Sequence, residues 1–214
     1  AEEGVRGARA IVENGHLEDV DFLLGAHMYG GSEQHPCGIC ITAGHGLATT
    51  KLDVDFHGKA SHAAAAPEQG NNALLAAATA VLNLQAIPRH GKADTRINVG
   101  KLVAGSGQNI ICDAAHMELE VRGKTSEANQ YMQTYAERIV KCAAEMHGCT
   151  VETHLMGTAL SSSNSSELNE RLEQVCAEQL KIPVWRDPEA FSNVSEDFSC
   201  MSEEGRKMDT VVAV

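Results

Sequence analysis

Residues 116–148 read HMELEVRGKTSEANQYMQTYAERIVKCAAEMHG, and the period of their apolar positions changes partway along. Met117, Leu119 and Val121 alternate with His116, Glu118, Glu120 and Arg122, the period-two pattern of a strand with one buried and one open face. Over 127–146 the spacing becomes that of a long amphipathic helix, closed by His147 and Gly148. Upstream, residues 51–57 (KLDVDFH) alternate in the same way. Residues 71–87 form an alanine- and leucine-rich helix stopped by Pro88, and 96–103 form a strand before Gly105-Ser106-Gly107. Residues 149–156 complete the set as a last strand. Strand–helix–strand–strand–helix–strand is the ferredoxin-like order. Residues 47–157 are therefore predicted to form a separate α+β lid, a four-stranded antiparallel sheet with both helices on one face.

The flanks predict a second, α/β body that this lid interrupts, made of residues 1–46 and 158–214. Residues 4–14 have helical spacing, with Gly15 as the cap. Residues 20–26 (VDFLLGA) read as a buried strand that delivers His27, and the glycine-rich stretch 30–46 as loop and edge strand. A serine-rich stretch at 161–166 leads into a helix over 167–180. Val184 and Trp185 lie in a short strand, and 195–202 form a helix with Ser195 as N-cap. Residues 210–214 are an apolar strand. Both ends of this body read as cut. Ala1-Glu2-Glu3-Gly4 looks like a functional turn without its preceding strand, and the last strand lacks its following loop.

Composition narrows the function. A net charge of −12 argues against nucleic acid and anionic membrane as partners. Aromatic residues make up 4 %, too few for base-stacking platforms. No apolar run approaches the roughly 18 residues of a membrane span. Seven scattered cysteines, an odd number, suit a reducing cytoplasm better than a disulfide framework. Cys37-Gly38-Ile39-Cys40 is a lone CxxC without the second pair or spaced histidines of a zinc site, and reads as buried or incidental thiols.

Several side chains can carry chemistry. Adjacent residues of an extended segment point opposite ways. Glu2 and Glu3 can therefore split two roles at one site, proton acceptor and metal ligand, or be a solvated pair at a helix start. Glu3 and His27 are joined by one helix and one strand, which returns the chain to the same sheet edge. Carboxylate oxygen and imidazole nitrogen are ordinary zinc ligands, whereas a histidine at a strand end on its own is more often structural. His62 lies among small residues in a strand-to-helix loop, where it can donate to a developing oxyanion or cap the helix. Arg122 can clamp a carboxylate bidentately, or pair with Glu118 or Glu120 on its own face. Asn109 is a turn residue or a polar contact to substrate.

The stretches AEEGVRGA, GAHM, FHGKASHAAAAPEQGNNAL, INVGKLVAGSGQNIICDAA and EVRG resemble the zinc amidohydrolase and peptidase family of aminoacylases, auxin-conjugate hydrolases and carboxypeptidase G. The resemblance covers nearly the whole chain, and AEEG with GKASHA is specific in combination. It implies that Glu2 is the general base, that Glu3 and His27 are metal ligands, and that His62 is a lid histidine reaching across a dimer. Asn109 and Arg122 match lid positions associated with substrate binding. Residues 194–199 (VSEDFS) resemble a GSED stretch near the site, with Val194 where glycine is usual.

The family's site holds two metals and has further ligands, expected well before residue 1 and beyond residue 214. His16, His35, His45, His90, His116, His147 and His154 match no ligand position and read as surface or satisfied core. The resemblance thus implies an internal piece of a metal-dependent amidohydrolase using two divalent ions, zinc or manganese. The expected substrate is a small N-acyl amino acid, aminobenzoyl-glutamate being the best match, and the expected assembly is a homodimer or a heteromer with a homologous subunit. Two other readings stay open: a non-catalytic partner subunit or dimerisation module with an incomplete metal site, and a free ferredoxin-like binding domain.

Overall fold

In the computed structural model of the chain, Leu52, Val54 and Phe56 are buried while Lys51, Asp53 and Asp55 between them are half-exposed. The structure describes residues 7–28, 33, 37–187, 189–190, 192–204 and 209–213. It divides into two units, Thr49–Thr158 and the pair Ala1–Ala48 with Ala159–Val214.

The elements of the continuous unit are β3 (Ala48–His57), α2 (Ala73–Gln85), β4 (Thr95–Ala104), β5 (Ala114–Gly123), α3 (Ser126–Met146) and β6 (Thr150–Ala159). They follow α1 (Gly7–Glu13), β1 (Phe22–Ala26) and β2 (Ile39–Ile41). The sheet order is β4-β5-β3-β6, that of a ferredoxin-like fold. β4 and β5 pair antiparallel from Thr95↔Gly123 to Ala104↔Ala115, with a bulge between Val99 and Lys101. Met117, Leu119 and Val121 of β5 join Leu52, Val54 and Phe56 in one core. Ala76, Ala77, Ala80 and Leu84 of α2 and Met132, Ala136 and Val140 of α3 close it. The alanine stripe of α2 permits close approach to α3 and to the sheet.

Caps set the helix limits. Asn72 accepts from the Leu75 amide and Thr125 from the Ala128 amide. At the β5–α3 turn a Cβ on Gly123 would lie 2.3 Å from the backbone nitrogen of Asn129, so only glycine fits. Asn129 is itself buried and donates to Thr50 Oγ1 at 2.7 Å.

The other sheet face carries the charges. His116 Nδ1 is 2.8 Å from Asp55 Oδ1, and Lys101 Nζ is 2.6 Å from Glu118 Oε1. Glu118 Oε1 also lies 3.4 Å from His116 Nε2, and His154 Nε2 lies 3.6 Å from Asp55 Oδ2. The Asp55 hydrogen bond holds the His116 imidazole above its ordinary pKa, with Glu118 and Asp53 acting in the same direction. The Lys101 and His116 hydrogen bonds hold Glu118 below the usual carboxylate value.

The other unit adds α4 (Ser166–Gln174), β7 (Val184–Arg186), α5 (Phe198–Glu204) and β8 (Asp209–Ala213). Its sheet order is β1-β8-β2-β7, with β1 parallel to β8 and β2 parallel to β7. Four sequence expectations need correction. The edge strand expected within 30–46 is β2, which lies inside its sheet between β8 and β7. Phe22 and Leu24 of β1 are exposed rather than buried, because β1 ends its sheet and no described residue covers that face. The helix expected over 167–180 keeps α geometry only to Gln174 and then widens over Val175–Gln179, where the Leu180 amide reaches Val175 O. Ser195 is not an N-cap: α5 starts at Phe198, and Ser195 Oγ is buried without a hydrogen-bond partner. No described helix is long and apolar enough to cross a membrane.

The packing and the charges of the sheet have two testable consequences. Gly123→Ala forces a Cβ against backbone and is expected to cost about 1–3 kcal/mol in urea unfolding. Gly91→Ala, with nothing within 4 Å of the new Cβ, stays within about 0.5 kcal/mol of wild type. Equal midpoints for the two variants would overturn the turn assignment. The second consequence concerns pH. The raised His116 contributes stability below its unfolded pKa of about 6.5 and loses it as pH rises through its folded pKa. The lowered Glu118 contributes above about pH 4.3 and loses it as pH falls. His116→Gln is therefore most destabilising between about pH 4.3 and 6.5, with a modest effect because these groups are half-exposed. The gap to wild type shrinks toward alkaline pH. A gap that widens above about pH 8 contradicts the network.

Candidate active site

β1 ends at Ala26 and hands the chain to His27. His27 Nδ1 lies 2.8 Å from the Met28 carbonyl oxygen. A carbonyl only accepts, so Nδ1 carries a proton, and in the neutral form of the ring Nε2 is the electron-pair donor. Metal-ligating histidines are commonly oriented in this way. Nε2 faces a carboxylate, Glu196 Oε2, at 3.9 Å. A nitrogen lone pair opposite a carboxylate suits a divalent cation, and the donor chemistry therefore fits one. Glu2 and Glu3 lie outside the described residues.

In the other unit two loops are laced together. The Ala63 amide donates to Asn109 O at 2.9 Å, the Ile111 amide to Ser61 O at 2.9 Å, and the Gly58 amide to Asp113 O at 2.7 Å. His62 and Ile110 form an antiparallel bridge. This lacing sets His62 beside the Asn109 loop, a juxtaposition the linear spacing does not reveal. The two ring nitrogens of His62 are chemically distinct. Nδ1 accepts from the Ala64 and Ala65 amides at 3.2 and 3.1 Å and so caps the turn. The neutral ring then carries its proton on Nε2, which is a donor.

Arg122 is not part of that cluster. It stands eight positions along β5 from Ala114, about 27 Å at the usual strand rise. Its Nε and Nη2 fork onto Glu120, at 2.6 and 3.2 Å from Oε1 and Oε2. Glu120 is thus one partner of Arg122 on its own face.

Two other groups bear on the site. Asp53, His116 and Glu118 place ligand atoms within 4.8 Å of one another, and Glu118 and His116 of this group already engage Lys101 and Asp55. Cys37 is exposed and Cys40 buried, and burial pushes the Cys40 thiol up, away from a reactive thiolate.

Residues 43–147 match the peptidase dimerisation domain of the M20 family. The chain is 41 % identical over 204 residues to a Haemophilus influenzae homolog of one chain of p-aminobenzoyl-glutamate hydrolase, covering 92 % of this chain and 46 % of that protein. It is 43 % identical over 166 residues to an indole-3-acetyl-aspartic acid hydrolase of Enterobacter agglomerans, covering 77 % of this chain and 37 % of that one. The chain thus spans less than half the length of these relatives. Among solved structures, an aminobenzoyl-glutamate utilization protein of Klebsiella pneumoniae matches with a TM-score of 0.86 at 37 % identity, over 100 % of this chain and 54 % of that one. A dinuclear metal-binding peptidase of Bacillus subtilis shares the fold, with a TM-score of 0.67 at 23 % identity over 100 % of this chain and 52 % of that one. With the sheet order and the sequence likeness pointing the same way, the chain carries the dimerisation domain of the M20 peptidases and is similar over most of its length to amidohydrolases.

Proposed function

We propose that the intact enzyme hydrolyses the amide that joins an acyl group to an amino acid, with p-aminobenzoyl-glutamate as the best-supported substrate. The observation that carries this reading is the His27 ring, whose Nδ1 bond to Met28 O turns Nε2 toward the Glu196 carboxylate. Two curated relatives are named for amides of acidic amino acids, which fits a substrate with free carboxylates. Glu3 and His27 would hold a divalent metal, zinc or manganese, one of two in the complete enzyme. Such an ion, when bound, supplies Lewis acidity that brings the pKa of water toward about 7. Glu2 takes the proton of the attacking water and returns it to the leaving amine. His62 donates from Nε2 to the amide oxygen as negative charge develops there. Asn109 contacts the substrate beside it, and Arg122 pairs a substrate carboxylate.

The length of β5 shapes this reading. His62 and Asn109 lie beyond one end of the strand and Arg122 near the other, farther apart than an N-acyl amino acid spans. One copy of the lid therefore cannot present both ends to one substrate, and we infer that His62 serves the site of a partner. β4 ends its sheet and leaves an edge for pairing. Leu102 and Val103 on β4 and Leu74, Leu75 and Leu82 on α2 are exposed apolar side chains suited to a homodimer, or to a heteromer with a homologous subunit.

In the intact enzyme, Glu2→Gln should keep its metal and lose about 10²–10⁴-fold in turnover. Glu3→Gln should bind metal more weakly. His62→Ala should lower kcat about 10²–10³-fold with metal content unchanged. Near-normal turnover of Glu2→Gln together with full metal in Glu3→Gln would remove the proposed roles. Sharing of the site has its own test. Co-expressed Glu2→Gln and His62→Ala chains, each inactive alone, should recover about a quarter of wild-type activity through statistical heterodimers. Failure to recover activity in verified heterodimers argues that His62 acts within its own protomer.

A further inference from the structure

We propose that residues 195–199, Ser-Glu-Asp-Phe-Ser, position the metal site, and that Glu196 lends its carboxylate to the cation His27 would hold. This rests on the metal reading of His27 given above.

Three consecutive side chains reach three different parts of the site. Glu196 Oε2 faces His27 Nε2 at 3.9 Å, on the edge of the ring that Nδ1 leaves for coordination. An imidazole nitrogen and a carboxylate this close can share positive charge, either a proton on Nε2 or a cation. Ligands of one zinc ion each stand about 2.0–2.2 Å from it, so two of them lie a few ångströms apart, and the observed gap is of that size. Asp197 Oδ2 accepts from the Ala8 amide at 3.0 Å, a bond across 189 positions of the chain. It anchors the first turn of α1, five residues after Glu3 in the sequence. Phe198 lies against β1, where a Cβ on Gly25 would come within 2.9 Å of its ring. Gly25 is two residues before His27, so the ring presses on the backbone that delivers that ligand.

The segment is itself held in place. Glu196 O accepts from both the Ser199 amide and Ser199 Oγ, at 3.1 and 2.7 Å. Ser199 is 1 % exposed, and its Oγ also accepts from the Leu160 amide at 3.0 Å. Upstream, Val194 O accepts from the Leu47 amide at 2.8 Å. Valine at 194 causes no backbone strain, since among described non-glycine residues only Lys181 has a positive φ. The departure from the glycine-containing pattern therefore leaves the segment's geometry intact.

The test measures metal affinity in the intact protein by competition with a chromophoric zinc chelator, alongside thermal unfolding of the metal-free protein. Glu196→Gln keeps the shape and removes the charge. It should weaken zinc at one site about 10–100-fold while leaving the metal-free melting temperature unchanged. Glu196→Asp should recover part of the affinity. Asp197→Ala should weaken zinc and also lower the melting temperature, because it frees the α1 amide. His27→Ala separates the two levels of the argument. If it keeps full metal, the metal reading of His27 fails. If it loses metal while Glu196→Gln binds zinc as wild type does, the role of Glu196 fails alone.

Discussion

Burial of one face of β5 is the constraint from which the continuous unit follows. Met117, Leu119 and Val121 can leave water only against α2 and α3, and this forces His116, Glu118, Glu120 and Arg122 onto the opposite face. A register slip of one residue would exchange those sets, placing ionisable groups in an apolar core. The bulge at Val99/Lys101 and the glycine at 123 keep the register by absorbing local geometry that a regular ladder could not. The open face then becomes a ladder of charge pairs, Asp55 with His116, Lys101 with Glu118, and Glu120 with Arg122. Three of its carboxylates, Asp55, Glu118 and Glu120, thus have basic partners within the chain itself.

The strands and helices of residues 48–159 were legible because each has the period of its own element and a cap chemistry to end it. Asn72 and Thr125 cap as their side chains allow, and Gly148 takes the positive φ expected after a helix. What the sequence hid was non-local. Nothing in the spacing shows that the His62 loop pairs with the Asn109 loop, since the bonds join segments 46 positions apart through the Ala63 amide and Asn109 O. Ser195 misled because Ser before Glu and Asp has the chemistry of an N-cap, whereas here the acidic side chains are drawn outward to His27 and Ala8. The exposure of Phe22 and Leu24 was equally hidden, because an apolar run does not say which neighbours will cover it. Glu2 and Glu3 stand on the family resemblance alone.

The two histidines assigned to chemistry illustrate how one ring nitrogen decides the use of the other. In His27 a carbonyl holds a proton on Nδ1, so Nε2 is the electron-pair donor of the neutral ring. In His62 two amides donate to Nδ1, so the proton goes to Nε2 and the ring becomes a hydrogen-bond donor. In the roles proposed above, the same side chain thereby serves a cation in one place and a developing oxyanion in the other. The difference lies wholly in backbone groups within three residues, which explains why residue identity alone left both histidines with two readings each.

Organisation of the proposed metal site depends on segments that the intervening unit separates in sequence. The bond from the Ala8 amide to Asp197 closes a span of 189 positions, and such closure carries an entropic cost that grows slowly with length. A folded insertion reduces that cost, because its own core fixes most of the intervening chain. The constraint falls instead on its entry and exit. There the Leu47 amide bonds Val194 O, and Gly46 O accepts from the Ser162 amide at 3.4 Å, bringing the two crossing points and the 195–199 segment into one local network. The same short network that closes the discontinuous unit thus carries Glu196 toward His27, so folding of that unit and placement of the carboxylate are one event.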